Sequence, residues 1–126
     1  MQIEEDPNFY RIQLFISCRD LKNLDFMSKS DPICHVHVKK DTKQAFWTKF
    51  SSTEQVKDNL NPDFNTVIHC YYYFERHQPI RFEVNDTDGK GDFQVIGEAD
   101  TTIGHIIGAP GQTFKADLKK GGAIQG

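Results

Sequence analysis

Asp86, Asp88 and Asp92 fall within VNDTDGKGDFQVIG, Val84 to Gly97, a stretch that also holds three glycines and then turns apolar. Carboxylates gathered on a short flexible segment do one of two things. They hold a metal ion, or they form a solvated hairpin, since Asp and Gly are the default turn residues. A second acidic stretch, NLDFMSKSDP, carries Asp25 and Asp31. If the two stretches meet, five carboxylates converge, and each pair of like charges about 5 Å apart repels by roughly 3 kcal/mol at an effective dielectric near 20. A divalent cation removes that cost. Calcium suits the set, because it accepts six to eight oxygens in flexible geometry, whereas magnesium wants a tighter octahedron and zinc prefers nitrogen or sulfur. An EF-hand loop fits poorly. Asp86, Asp88 and Gly91 fall on its template, but Lys90 and Gly97 stand where it needs an acid and a bidentate glutamate.

The elements that must position these residues read as strands. RIQLFISC puts Ile12, Leu14, Ile16 and Cys18 on one face, ICHVHV aligns Cys34, Val36 and Val38, and IRFEV aligns Ile80, Phe82 and Val84. TVIHCYYYF adds an aromatic, β-branched run, and FWTKFS, IGEADTTI and FKADLKK supply further candidates, about seven strands in all. No long segment keeps a helical period, so helix is expected only in short turns. Turn-rich connections at near-regular spacing predict an all-β, antiparallel β-sandwich, whose loops cluster at its two ends. That clustering lets two acidic stretches distant in sequence share one tip.

Composition limits the function classes. The 126 residues suit one domain, 1–126, and 37% hydrophobic with 26% charged residues is an ordinary globular balance. A net charge of −3 without a dense Lys/Arg run argues against a nucleic-acid partner. Cys18, Cys34 and Cys70 are widely spaced within apolar runs and read as buried free thiols of a reducing compartment, the cytosol. The sequence shows neither a signal peptide nor a membrane-spanning run, so membrane contact is expected to be peripheral. Nucleophile-elbow, phosphate-loop and His-Glu-x-x-His signatures are all missing, and no enzyme is expected.

Taken together, NLDFMSKSDP before a strand, NLNPDFN before an aromatic strand, and FEVNDTDGKGDFQVIGEADTTIGHIIGAPGQ make the chain resemble a C2 domain, most closely the first C2 domain of the copines. The spacing carries this: Asp25 and Asp31 six apart, Asp86 and Asp88 two apart, and a glycine nine residues beyond Asp88. The resemblance implies an eight-stranded antiparallel Greek-key β-sandwich that binds one or two calcium ions at one tip and docks on anionic phospholipid. It assigns side-chain ligands to Asp25, Asp31, Asp86 and Asp88 and backbone ligands to the carbonyls of Leu24 and Thr87. Two departures stand out. Gln94 occupies the position of the family's last aspartate, and Asp92 is expected to compensate in part. Where phosphoinositide-binding relatives carry lysines on the concave face, this chain has His35, His37, Ser52 and Glu54, which argues against a strong site there. The two histidines read as a solvated pair. After FKADLKK the chain ends in GGAIQG, so the last strand is expected to be missing or barely begun.

The expected function is therefore calcium-triggered membrane targeting of a copine-like protein, cytoplasmic at rest and moving to membranes, the plasma membrane first, as calcium rises. The five aspartates contribute −5 to a net −3, which leaves the rest of the chain at +2, so filling the tip removes its repulsion from an anionic surface. Phe26, Met27 and Phe93 flank the aspartates and are expected to enter the membrane interface. The rival reading keeps the fold but drops calcium. In it, a strand edge or the Tyr71–Tyr73 stretch binds a protein partner.

Overall fold

Alternation of inward and outward side chains defines the strands of the computed structural model, which describes residues 9–24, 29–39, 46–87 and 93–126. In β2 (Pro32–Val38), Pro32, Cys34 and Val36 are buried while Ile33, His35 and His37 face outward. The same period puts Ile68 and Cys70 of β4 (Ile68–Tyr73) inside and His69 and Tyr71 outside. β1 (Phe9–Leu14), β3 (Thr48–Ser52), β5 (Pro79–Thr87), β6 (Phe93–Thr102), β7 (Lys119–Lys120) and β8 (Ala123–Ile124) complete eight strands among the described residues. β1 pairs with β4 in one sheet, and the other sheet runs β3-β2-β5-β6-β7-β8, with every pairing antiparallel. The chain passes from β1 into the second sheet for β2 and β3, then back, so that β4 lies beside β1. That return is the Greek-key step.

Two apolar clusters make the core of the described residues. One gathers Leu14, Val36, Ile68, Cys70, Ile80 and Ile103, drawing on both sheets. The other gathers Leu21, Cys34, Phe64, Val84, Ile96 and Leu118. Ile16 and Phe82 pack against both. Each fully buried isoleucine contributes about 1.5 to 3 kcal/mol. The expected sandwich is observed, with the eight strands of the described residues split two and six.

Three sequence expectations need refinement. FKADLKK yields only the two-residue β7: residues 113–118 form no ladder, and of them only Leu118 turns fully inward. FWTKFS begins as a strand only at Thr48, and a bulge between Val36 and His37 shifts its register against β2. Of the two expectations for the last strand, missing or barely begun, the second holds: β8 is two residues long, held by Gln125 N donating to Leu118 O at 2.7 Å and Leu118 N donating to Gly126 O at 3.0 Å. Gly97, the glycine beyond Asp88, has a packing reason. A Cβ there would lie 3.0 Å from Leu118 Cβ, so glycine lets the incoming segment press against β6.

Among the described residues, helix is confined to α1 (Ile103–Gly108) and one 3-10 turn at Pro110–Gln112. Thr102 Oγ1 caps α1 by accepting from His105 N at 3.1 Å. Pro79 pairs with Thr102 at one end of the β5-β6 ladder and Asp86 with Gln94 near the other, so α1 sits at the end opposite the aspartates.

Candidate functional site

The two acidic stretches meet where β2 begins and β5 ends. Pro32 and Asp86 are Cα partners across the β2-β5 ladder, which brings Asp31 beside Asp86. Asp31 N donates to Asp86 Oδ1 at 2.8 Å, and Thr87 N donates to Asp31 O at 3.2 Å. Asp86 is only 7% exposed and Asp31 is half-buried, so both carboxylates are partly stripped of water. Their hydrogen-bond donors are backbone amides. Among the described residues neither has a lysine or arginine partner.

The other expected ligands distribute as follows. Leu24 N donates to Ser30 Oγ at 3.0 Å, and buried Ser30 in turn donates to Asn23 Oδ1 at 3.3 Å, which ties the start of the first acidic stretch to its end. Thr87 O accepts from Gln55 Nε2 at 2.7 Å. Asp25, Asp88 and Asp92 lie outside the described residues, as do Phe26 and Met27. Phe93 is 60% exposed and is the Cα partner of Thr87, so its ring stands at the tip. Gln94 pairs with Asp86 and is exposed, which puts a neutral amide beside the buried carboxylate. Strands β5 and β6 flank this region where an EF-hand would need helices.

One residue of the tip escaped the sequence reading. Asp58, in the connection between β3 and β4, donates its N–H to Asp31 Oδ1 at 2.6 Å and accepts from Lys29 N at 2.6 Å. Its stretch, VKDNLNP, has the composition of a plain turn. The available signal was positional, since this connection returns to the same end of the sandwich as the two acidic stretches.

The donors assembled here are carboxylate, carbonyl and amide oxygens. That set suits a hard cation such as calcium and offers zinc none of its preferred nitrogen or sulfur. Among the described residues no three His, Cys, Asp or Glu side chains are already grouped as a metal site.

The histidine pair differs from expectation. His35 and His37 are half-buried rather than solvated, and His35 Nδ1 and His37 Nε2 are buried without a hydrogen-bond partner among the described residues. The reason is location: β2 lies between β3 and β5, with Glu83 opposite His35 and its Oε1 3.8 Å from His37 Nε2. Burial, reinforced by nearby Lys49, pushes the His35 pKa down. Ser52 is the Cα partner of His35. Burial alone would raise the Glu54 pKa, but hydrogen bonds from Asn65 N, Thr66 Oγ1 and Thr66 N outweigh it and hold the group down at about 2. Of the cysteines, Cys34 and Cys70 are buried as expected and Cys18 is half-buried; all three are free. Burial pushes the Cys18 and Cys70 thiols up to about 11.

A family profile described as the C2 domain matches residues 13–118. The chain belongs to the C2 domain family. Copine-E of Dictyostelium discoideum is 37% identical over 120 residues, which cover 92% of this chain and 21% of that protein. Copine-A of the same organism is 37% identical over 112 residues, covering 89% and 18%. The C2 domain described here thus spans about a fifth of the curated copines it matches. Human GIVD cytosolic phospholipase A2 superposes with a TM-score of 0.64 at 15% identity, over 82% of this chain and 13% of the phospholipase. The paired C2 domains of extended-synaptotagmin 2, calcium bound, superpose with a TM-score of 0.58 at 23% identity, over 79% and 35%. At such identities the likeness is one of fold. C2 domains related to these commonly bind calcium and phospholipid. No helix among the described residues of this C2 domain is long and apolar enough to cross a membrane.

Proposed function

We propose that this C2 domain binds calcium at the tip where β2 and β5 meet and thereby docks on anionic phospholipid, targeting a copine-like protein to membranes. The observation that carries the reading is the 2.8 Å hydrogen bond from Asp31 N to Asp86 Oδ1, which joins two stretches of acid 55 residues apart. Asp31 and Asp86 would hold the ion with Asp25, Asp88 and Asp92, and the carbonyls of Leu24 and Thr87 would add backbone oxygens. A bound ion supplies positive charge and vacant positions for lipid phosphate oxygens. With its charge cancelled, the tip no longer repels an anionic surface, and Phe93 can enter the headgroup region beside Phe26 and Met27. In a cell this corresponds to a cytoplasmic resting state and recruitment to membranes, the plasma membrane first.

Calcium calorimetry and co-sedimentation with vesicles test the reading. We expect heat of calcium binding, and sedimentation with phosphatidylserine vesicles that requires calcium and is reversed by a chelator. Equal sedimentation with and without calcium would overturn it.

A second reading has its own support on the β1-β4 sheet. Tyr71 is 48% exposed, and Phe9, the Cα partner of Tyr73, stacks edge-on against it with centroids 5.5 Å apart. Tyr72 turns inward against the core, so Tyr71 and Tyr73 present the outer face. Such a surface suits a protein partner bound without calcium.

A further inference from the structure

The connection between β3 and β4 touches both acidic stretches. Val56 N donates to Pro32 O at 2.9 Å and Asn59 N to Ser30 O at 3.1 Å, which lays this segment along the end of the first stretch. Asp58 then makes its two bonds there: its N–H reaches Asp31 Oδ1 and its carboxylate receives Lys29 N, each at 2.6 Å. Gln55 points the other way and donates from Nε2 to Thr87 O at 2.7 Å, at the end of β5. Asp58 also adopts φ 55, a conformation that residues other than Gly, Asn and Asp seldom take. Glycine would hold that backbone without strain but could not receive Lys29 N.

We infer that Gln55 and Asp58 are positioning residues for the calcium tip, a role that rests on the calcium reading proposed above. Asp58 fixes one oxygen of the Asp31 carboxylate through its backbone and pins the Lys29 amide through its side chain. Gln55 fixes the Thr87 carbonyl, one of the backbone oxygens that the calcium reading gives to the ion. The oxygens of two separate loops are thereby set at one spacing before any ion arrives. Groups that orient metal ligands from behind typically alter affinity about 10- to 100-fold when removed. The orientation, rather than the extra negative charge of Asp58, is what this inference assigns.

Four measurements on the whole chain test it: calcium affinity by calorimetry, thermal stability in chelator, amide hydrogen exchange at Lys29 without calcium, and vesicle sedimentation. Asp58→Gly keeps the backbone donor and the φ but loses the grip on Lys29; we expect calcium affinity to fall about tenfold, with faster exchange at Lys29. Asp58→Asn keeps both bonds and loses only charge, so its affinity should stay within about threefold of wild type, a loss smaller than removing an orienting group produces. Gln55→Leu should lower affinity about tenfold through Thr87, independently of Asp58. Wild-type binding with an unchanged Asp58→Gly variant overturns this inference alone. So does an Asp58→Asn variant that falls as far as Asp58→Gly, because charge would then be the cause. If Asp58→Gly loses its fold in chelator, a fall in Gln55→Leu supports the clasp and an unchanged Gln55→Leu overturns it. A wild-type chain that binds no calcium overturns the reading of the tip and takes this inference with it.

Discussion

Two groups of acids on this molecule are satisfied in opposite ways. On the outer face of the larger sheet, Arg81 grips Asp100 with two bonds, Nε to Oδ1 at 2.7 Å and Nη2 to Oδ2 at 2.8 Å, and also lies 2.9 Å from Glu98 Oε2. Its guanidinium sits 4.6 Å over the Trp47 ring, and Lys39 Nζ lies 4.7 Å from the same ring. The Asp100 hydrogen bond, against some desolvation, pushes the Arg81 pKa further up. At the tip, Asp31, Asp58 and Asp86 receive backbone amides and, among the described residues, no side-chain cation. Acids with a resident cation are finished structure. Under the calcium reading proposed above, Asp31 and Asp86 keep their charge for a cation from outside, while Asp58 orients them.

The sharpest way to break this contrast is to neutralise each group in turn. Asp31→Asn with Asp86→Asn keeps an acceptor for the Asp31 amide and removes two charges. Calcium affinity should fall at least about 100-fold, since ligand charge sets affinity, and calcium-dependent sedimentation should vanish. Stability in chelator should hold or rise, because like-charge repulsion is relieved. Arg81→Met should do the reverse. It leaves Asp100 and Glu98 unpaired and should lower unfolding stability by about 1 kcal/mol in denaturant titration, the upper range for a partly exposed pair, with calcium affinity unchanged. If both variants lose calcium binding, the distinction between the two groups fails.

How much of this was readable in advance depended on whether the signal was local. β2 was legible because alternation maps directly onto a sheet with one buried face, and β4 because aromatic and β-branched residues favour strands. FKADLKK alternates too, yet Ala116, which the pattern turns inward, is exposed and the ladder forms only at Lys119–Lys120, because the segment is held by its β8 hairpin and by Leu118 against Gly97. The meeting of Asp31 with Asp86 was legible from the resemblance and from loop clustering in a sandwich. Asp58 was not, since its bonds to Asp31 and Lys29 come from where its backbone lands and an aspartate before Asn59 looks like any turn. The histidines failed for a related reason: outward-facing alternation does not reveal that neighbouring strands and Glu83 cover them.

Glu54 sharpens the comparison from a third position, an amide-fed acid whose charge is already accounted for. It receives Asn65 N at 2.6 Å, Thr66 Oγ1 at 2.8 Å and Thr66 N at 3.1 Å, and its pKa falls from the ordinary 4.5 to about 2. A carboxyl depressed by folding stabilises the native state above its unfolded pKa, and that contribution is lost as pH falls through the folded value. Wild type should therefore lose stability between pH 4.5 and about 2 in a way that Glu54→Gln does not. Parallel acid-unfolding curves for the two proteins would remove Glu54 from the account. Calcium affinity should be the same in both, which separates an acid that anchors Asn65 and Thr66 from those that the calcium reading assigns to the ion.

The smallest expected effect concerns what the tip does after its charge is cancelled. Phe93 is 60% exposed beside Thr87, while Tyr71 is 48% exposed on the β1-β4 sheet, so exposure alone does not say which ring meets lipid. The charge contrast does. Only Phe93 stands next to carboxylates whose repulsion a cation can switch off, so Phe93→Ala should weaken calcium-dependent vesicle binding by about threefold, less than full burial of a phenyl ring would give because insertion is partial and Phe26 and Met27 share it. Tyr71→Ala should leave vesicle binding unchanged. Calcium affinity without lipid should be the same for both variants, since neither ring is an oxygen donor. A Tyr71 effect as large as that of Phe93 would place the lipid contact on the aromatic sheet and detach membrane binding from the acidic tip.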